Sequence, residues 1–151
     1  MRILIQVVSK ASVTIDNKEY SSIGYGYLLF VGFTEGDNEE IVNKMIDKLL
    51  GLRIFPDSNG QTNLSLLDVH GEILSVSQFT LYADVSHGRR PSFINALRPE
   101  LSSPLYDYFN KVLHEKSLIE IKTGIFGADM KVALINEGPF TLMLDSKEVI
   151  R

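Results

Sequence analysis

Residues 25–34, Tyr-Gly-Tyr-Leu-Leu-Phe-Val-Gly-Phe-Thr, are apolar at odd and even positions alike. Successive side chains of a strand point to opposite faces. A strand built from this run must therefore be covered on both sides, which makes it central rather than half exposed. Gly24, Gly26 and Gly32 punctuate it and predict bends or bulges, as at the corners of a curled sheet. The rest of the chain has to supply the cover. Residues 2–9 and 11–16 alternate in strand fashion and read as two strands, followed by an Asp16-Asn17-Lys18 turn. Residues 72–82 read as one long strand with Leu74, Val76, Gln78, Thr80 and Tyr82 on one face. Residues 118–122 and the apolar runs 130–135 and 142–144 add further strands.

Two stretches carry helical spacing instead. Asp37, with Glu40 three residues on, has the pattern of an N-cap and capping box. Ile41, Met45 and Leu49 then lie beside Val42, Ile46 and Leu50 as one apolar stripe. Later, Ser103 suits an N-cap and Pro104 a first turn, before Leu105, Tyr108, Phe109 and Val112 at i, i+3, i+4 and i+7. Between them, Arg53-Ile54-Phe55 reads as extended and Pro56 to Gly60 as a turn, while Leu64 to Val69 fits either a turn or a brief helix. Strands outnumber helices without strict alternation. The pattern predicts one α+β domain over 1–151, with a mainly antiparallel, strongly curled sheet.

Composition narrows the chemistry. A net charge of −4 disfavours a long grip on duplex DNA, but not a small contact with an RNA end. The chain has no cysteine, which removes disulfides, thiol catalysis and Cys-ligated zinc. No apolar run approaches the roughly 20 residues of a membrane span, and Met1 to Ile5 leads directly into a strand pattern. A cytoplasmic protein is the expectation. His70, His87 and His114 have no metal-ligand spacing, so no metal and no cofactor is expected. Phosphate-loop and dinucleotide fingerprints are missing, as are carboxylates paired on one strand face.

Three features stand out. Ser77-Gln78-Phe79-Thr80 places donors and an aromatic ring on an apolar strand, as a half-exposed edge or as a pocket wall. His87-Gly88-Arg89-Arg90 is a solvated loop or a small phosphate site. Gly138-Pro139 lies between the last two apolar runs. It reads as a plain hairpin turn, or as a rigid backbone element that presents carbonyl oxygens to a ligand.

Taken together, these residues resemble the D-aminoacyl-tRNA deacylase family. The resemblance runs from Gln6–Val13 through Leu52–Phe55, Asn63–Ser65, Val76–Leu81, Gly88–Phe93 and Thr123–Met130 to Asn136–Thr141. The Ser-Gln-Phe-Thr and Asn-x-Gly-Pro-x-Thr runs are that family's two motifs, in its order and spacing. The resemblance implies a two-sheet, barrel-like β core with two or three helices outside, assembled as a homodimer. It implies a carboxylic-ester hydrolase that frees tRNA and D-amino acid from D-aminoacyl-tRNA, rejects the L-ester, and accepts glycyl-tRNA mischarged on tRNA-Ala. The partner would be the aminoacyl-tRNA 3′ end. Ser77, Gln78, Phe79, Thr80 and Met130 would bind substrate. Gly138 and Pro139, joined by a cis peptide, would enter the partner subunit's site and set chirality. The backbone N–H groups of Phe79 and Thr80 would stabilise the oxyanion, with the 2′-OH of the terminal ribose helping to activate water. An older idea within the family makes the Thr80 hydroxyl a nucleophile.

One departure is notable. Family members often carry Arg after the first-strand Gln, thought to brace the Gly-Pro region, where this chain has Gln6-Val7-Val8. Glu137 and Phe140 replace the usual Asp and Val but keep charge and apolarity. The alternative is an RNA-end or nucleotide-binding module on the same scaffold that binds aminoacyl-tRNA without turnover.

Overall fold

The computed structural model describes residues 1–150. The central strand is β3 (Gly26–Gly32). It pairs antiparallel with β1 (Arg2–Ile15) on one side and parallel with β6 (Glu72–Ser77) on the other. Both of its faces are covered. Tyr27, Leu29 and Val31 join one cluster with Ile3, Ile5 and Val7, and Leu28 joins a second with Val8, Ala11, Val13, Leu74 and Val76. Each fully buried aliphatic or aromatic side chain here contributes roughly 1.5–3 kcal/mol, so the two-sided core fixes β3 in the centre.

β1 is one strand of 14 residues, where the sequence suggests two. The expected break falls on a bulge: Val8 faces Asn136 and Lys10 faces Ile135, leaving Ser9 over. An extra residue reverses the alternation. Ile3, Ile5 and Val7 therefore serve the first cluster, whereas Ala11 and Val13 serve the second.

The six-stranded sheet runs β2-β1-β3-β6-β7, with β8 on the outer side of β1. Here β2 is Lys18–Ile23, β7 is Ile121–Thr123 and β8 is Lys131–Asp145. The sheet curls until β2 reaches β7, where Ser21 Oγ donates to Thr123 O at 2.6 Å. This is the nearly closed, barrel-like core that the family resemblance implies. A small second sheet pairs β4 (Arg53–Pro56) with β5 (Thr62–Ser65). Antiparallel pairs predominate, but β3, β6 and β7 run parallel. β7 also starts later than residue 118, because Leu118 is a left-handed C-cap of the preceding helix.

Three helices pack outside: α1 (Glu39–Gly51), α2 (Pro99–Ser117) and the short α3 (Ser146–Val149). Val42, Met45, Ile46 and Leu49 of α1 and Tyr106, Phe109, Val112 and Leu113 of α2 close the first cluster. The N-cap of α1 is Asn38, whose side chain accepts from Ile41 N–H, rather than Asp37. Asp37 is committed elsewhere, accepting from the Met1 amino group at 2.7 Å and from Thr34 N–H at 2.8 Å. α2 begins at Pro99 with Arg98 as N-cap, not at Ser103. Pro104 thus lies inside the helix and leaves the Glu100 carbonyl without its helical donor. Glu100 is exposed, so water can take that bond.

Candidate active site

Parallel pairing decides where the site lies. β3, β6 and β7 all end on the same side of the sheet, and ligand crevices in parallel sheets form at the carboxyl ends of strands. Beyond those ends lies a cavity of about 610 Å³. Val31, Gly32 and Phe33 wall it from β3, Val76 to Phe79 from β6, and Phe126 to Met130 from the loop after β7. The start of α2 and the segment before it close the remaining side with Phe93, Leu97 and Ser102.

The expected long strand over 72–82 stops at Ser77. Residues Phe79–Tyr82 form a single 3-10 turn instead. Gly32 makes this possible: a Cβ there would stand 2.7 Å from the carbonyl oxygen of Gln78, so only glycine lets the two backbones cross. The turn changes what the motif can do. The first N–H groups of a helical turn have no partner within it. Among the described residues the N–H groups of Phe79 and Thr80 have no protein acceptor, whereas Leu81 N–H bonds Gln78 O. Two adjacent free donors therefore sit on Phe79, which lines the cavity, and on its neighbour Thr80.

The side chains divide in a way strand alternation does not anticipate. Ser77 and Gln78 line the cavity half-buried. Gln78 Nε2 donates to Thr80 Oγ1, and Thr80 itself is not a lining residue. Phe79 is 57% exposed and meets Phe93 edge-on, with ring centroids 4.9 Å apart. The pair forms an aromatic step at the mouth. Met130 also lines the cavity. A Cβ on Gly124 would stand 2.3 Å from its sulfur, so Gly124 is what lets Met130 sit there.

Arg2 ties the turn to the far end of β8. Its Nη1 donates to Leu81 O at 2.7 Å and its Nε to Asp145 Oδ2 at 2.8 Å, with the guanidinium over the Tyr82 ring. Burial pushes the Asp145 carboxyl up, but Arg2 and the Lys147 N–H outweigh it and hold the group below the usual carboxylate range. Burial pushes the Tyr82 phenol well above its ordinary value.

Gly138 and Pro139 are not among the lining residues. They are exposed on β8, and the peptide between them is cis. No hairpin turn occurs there. Residues 131–136 and 141–145 both pair with β1, so a single strand carries a four-residue excursion.

Sequence reasoning missed several wall residues. Phe93, Phe126, Arg98 and Asp129 all line the cavity. Among the described residues Arg98 and Asp129 are its only titratable lining residues, and both are exposed. The three histidines lie outside the lining. His87 Nδ1 is 2.8 Å from Ser86 Oγ, and His114 Nδ1 is 2.7 Å from Ile119 O. Arg89 and Arg90 project from a loop closed by the Asp84–Ser92 bridge, next to Phe93. Among the described residues no cluster of His, Asp and Glu could hold a metal ion, and no helix is long and apolar enough to cross a membrane.

Fold and site together define an α+β pocket protein, with an aromatic mouth, amide and hydroxyl groups in the wall and no histidine among its lining residues. Comparison with known proteins gives the family. The D-Tyr-tRNA(Tyr) deacylase family model matches residues 4–145. The D-aminoacyl-tRNA deacylase of Lactobacillus acidophilus is 54% identical over 145 residues, 96% of this chain and 99% of the relative. That of Bacillus pumilus is 51% identical over 148 residues, 98% of this chain and 100% of the relative. A solved structure of the c-Myc DNA Unwinding Element Binding Protein superposes with a TM-score of 0.91 at 37% identity, covering 96% of this chain and 98% of that one. A probable eukaryotic D-amino acid tRNA deacylase shares the fold at 20% identity, with a TM-score of 0.85 over 95% of this chain and 97% of that one. The chain belongs to the D-Tyr-tRNA(Tyr) deacylase family.

Proposed function

We propose that this protein hydrolyses the ester of D-aminoacyl-tRNA, releasing tRNA and the D-amino acid, and spares the L-ester. The observation that carries this reading is the pair of adjacent free N–H donors on Phe79, which lines the pocket, and on its neighbour Thr80, in a chain of the deacylase family. In this reading the terminal adenosine stacks on the Phe79–Phe93 step, and Ser77, Gln78 and Met130 orient the ester beside it. The attacked carbonyl oxygen becomes an oxyanion held by the N–H groups of Phe79 and Thr80. The Thr80 hydroxyl already accepts from Gln78, and no histidine lines the pocket. Water is therefore the better nucleophile than Thr80, activated with help from the terminal 2′-OH of the RNA.

Chirality is assigned to Gly138 and Pro139. They do not line their own chain's pocket, and among the described residues β8 is an open edge that pairs only with β1 and exposes Ile135 and Met143. A second copy docked there would bring the partner's Gly-Pro to this pocket, so a homodimer with the selector in trans is part of the proposal. Rejection of the wrong hand needs only a backbone wall where an L side chain would go. Glycyl-tRNA, with no side chain, passes the same wall. The whole chain acts as one domain, in the cytoplasm where aminoacyl-tRNA is used.

Purified protein incubated with D-Tyr-tRNA and L-Tyr-tRNA in parallel tests the reading. Discharge of the D-ester with the L-ester spared is the expected result. Binding without discharge of any D-ester would favour the RNA-end-binding alternative.

A further inference from the structure

The excursion on β8 is closed by one side chain. Asn136 faces Val8 and Thr141 faces Gln6, so the single residue Val7 stands opposite the four residues 137–140. Asn136 Nδ2 donates to Val7 O at 2.9 Å and to Phe140 O at 3.0 Å. Its Oδ1 accepts from Thr141 Oγ1 at 3.2 Å. Thr141 Oγ1 in turn accepts from Gln6 Nε2 at 3.2 Å. Both amide hydrogens and the amide oxygen are thus spent on the two ends of the excursion and on the facing strand. The loop they close is tight. Gly138 has φ +115°, and a Cβ on it would stand 2.9 Å from Phe140 N. Phe140 packs against the main core and anchors one end, while Glu137, Gly138 and Pro139 are exposed.

We infer that Asn136 is the positioning residue that aims the Gly138 and Pro139 carbonyls, and that it sets the preference for D- over L-esters. This rests on the function proposed above. It also accounts for Val7. The Val7 side chain is buried at 3% exposure in the core and offers the excursion only its carbonyl oxygen. Bracing here comes from that main-chain acceptor and the Asn136 amide, so an arginine side chain at position 7 is dispensable. A carboxylate in the same place has no hydrogens for two carbonyl oxygens at 2.9 and 3.0 Å, and repels them.

The test compares L- and D-Tyr-tRNA discharge by the wild type, Asn136→Asp, Thr141→Val and Leu144→Ala. Leu144 lies on β8, 5% exposed, outside the excursion, and its truncation is a stability control for the same strand. Asn136→Asp is expected to raise the ratio of L to D discharge by roughly tenfold or more, the factor of about one net hydrogen bond. Thr141→Val should raise it by less, and Leu144→Ala should lower the melting temperature with the ratio within about twofold. Thr141→Val removes the two bonds through Thr141 Oγ1 but leaves the two Nδ2 bonds in place. If Asn136→Asp retains the wild-type ratio, or if Leu144→Ala shifts the ratio equally, Asn136 is merely structural and the inference falls. Wild-type protein that discharges no D-ester would instead overturn the functional reading itself.

Discussion

The pocket and the Gly-Pro excursion are built by opposite means. The pocket takes its shape from burial: three parallel strand ends, two of them backed by core on both faces, and glycines where backbone or sulfur must come close. The excursion is exposed at Glu137, Gly138 and Pro139, and is held by the hydrogen bonds of Asn136 and Thr141 and by Phe140 against the core. Burial fixes a cavity at a cost spread over many contacts, so no single polar group dominates it. A surface loop held by three or four hydrogen bonds is fixed by individual residues. Affinity and chemistry should therefore fail with packing changes, and chirality with small polar or backbone changes that leave the fold intact.

The largest effect is expected at the pocket's backbone crossing. Gly32→Val puts a branched side chain where even a Cβ stands 2.7 Å from Gln78 O. Forcing β3 from the 3-10 turn should cost about 1–3 kcal/mol of stability and displace the free N–H groups. Calorimetry should report a lower melting temperature, and D-ester discharge should fall by roughly a hundredfold or more, the loss of an oxyanion donor. Phe79→Ala comes next. The ring is 57% exposed, so stability should hardly change, while KM for D-aminoacyl-tRNA should rise by the roughly 1–3 kcal/mol of one stacked base.

Gly138→Ala should give a smaller effect of a different kind. An alanine strains at φ +115° and crowds Phe140, costing about 1 kcal/mol. The expected readout is L-ester discharge gained, with the D-ester rate within a few-fold. Unchanged chiral choice in that variant would count against the selector role. The smallest effect is expected at Asp129→Asn. If RNA activates the water, D-ester discharge should stay within about threefold. A general base contributes roughly 10²–10⁴-fold, so a fall of that size would make the Asp129 carboxylate the base.

The two regions also differed in how much of them could be read beforehand. Composition and periodicity suffice for the central strand, the α1 stripe and the curled sheet, because burial writes directly into apolar spacing. Phe79 and Thr80 are a different case. Their residue types mark a site, but the 3-10 turn that frees their N–H groups depends on Gly32, 47 and 48 positions earlier in the chain. The parallel pairing of β3, β6 and β7 was likewise hidden, and with it Phe93, Arg98 and Asp129, which reach the cavity only through topology. Asp37 and Ser103 each carry good capping chemistry. Asp37 is taken by the Met1 amino group, and Pro99 starts α2 before Ser103 is reached. At Gly138-Pro139 the dipeptide signals a turn, yet flanks that both pair with β1 turn it into an excursion. Local sequence shows no such shared partner.

The central claim is that pocket and selector belong to different subunits, and exchange between two variants tests it most directly. Gly138→Ala supplies an intact pocket with a relaxed selector, and Phe79→Ala an intact selector with a weakened pocket. Gly138→Ala protein is re-assembled with a large excess of Phe79→Ala, and L-Tyr-tRNA discharge is followed per Gly138→Ala chain. The account predicts that L-ester discharge falls toward the wild-type level, because each intact pocket now receives an intact Gly-Pro from its partner. L-ester discharge unchanged by the exchange would place the selector in its own subunit and contradict the account.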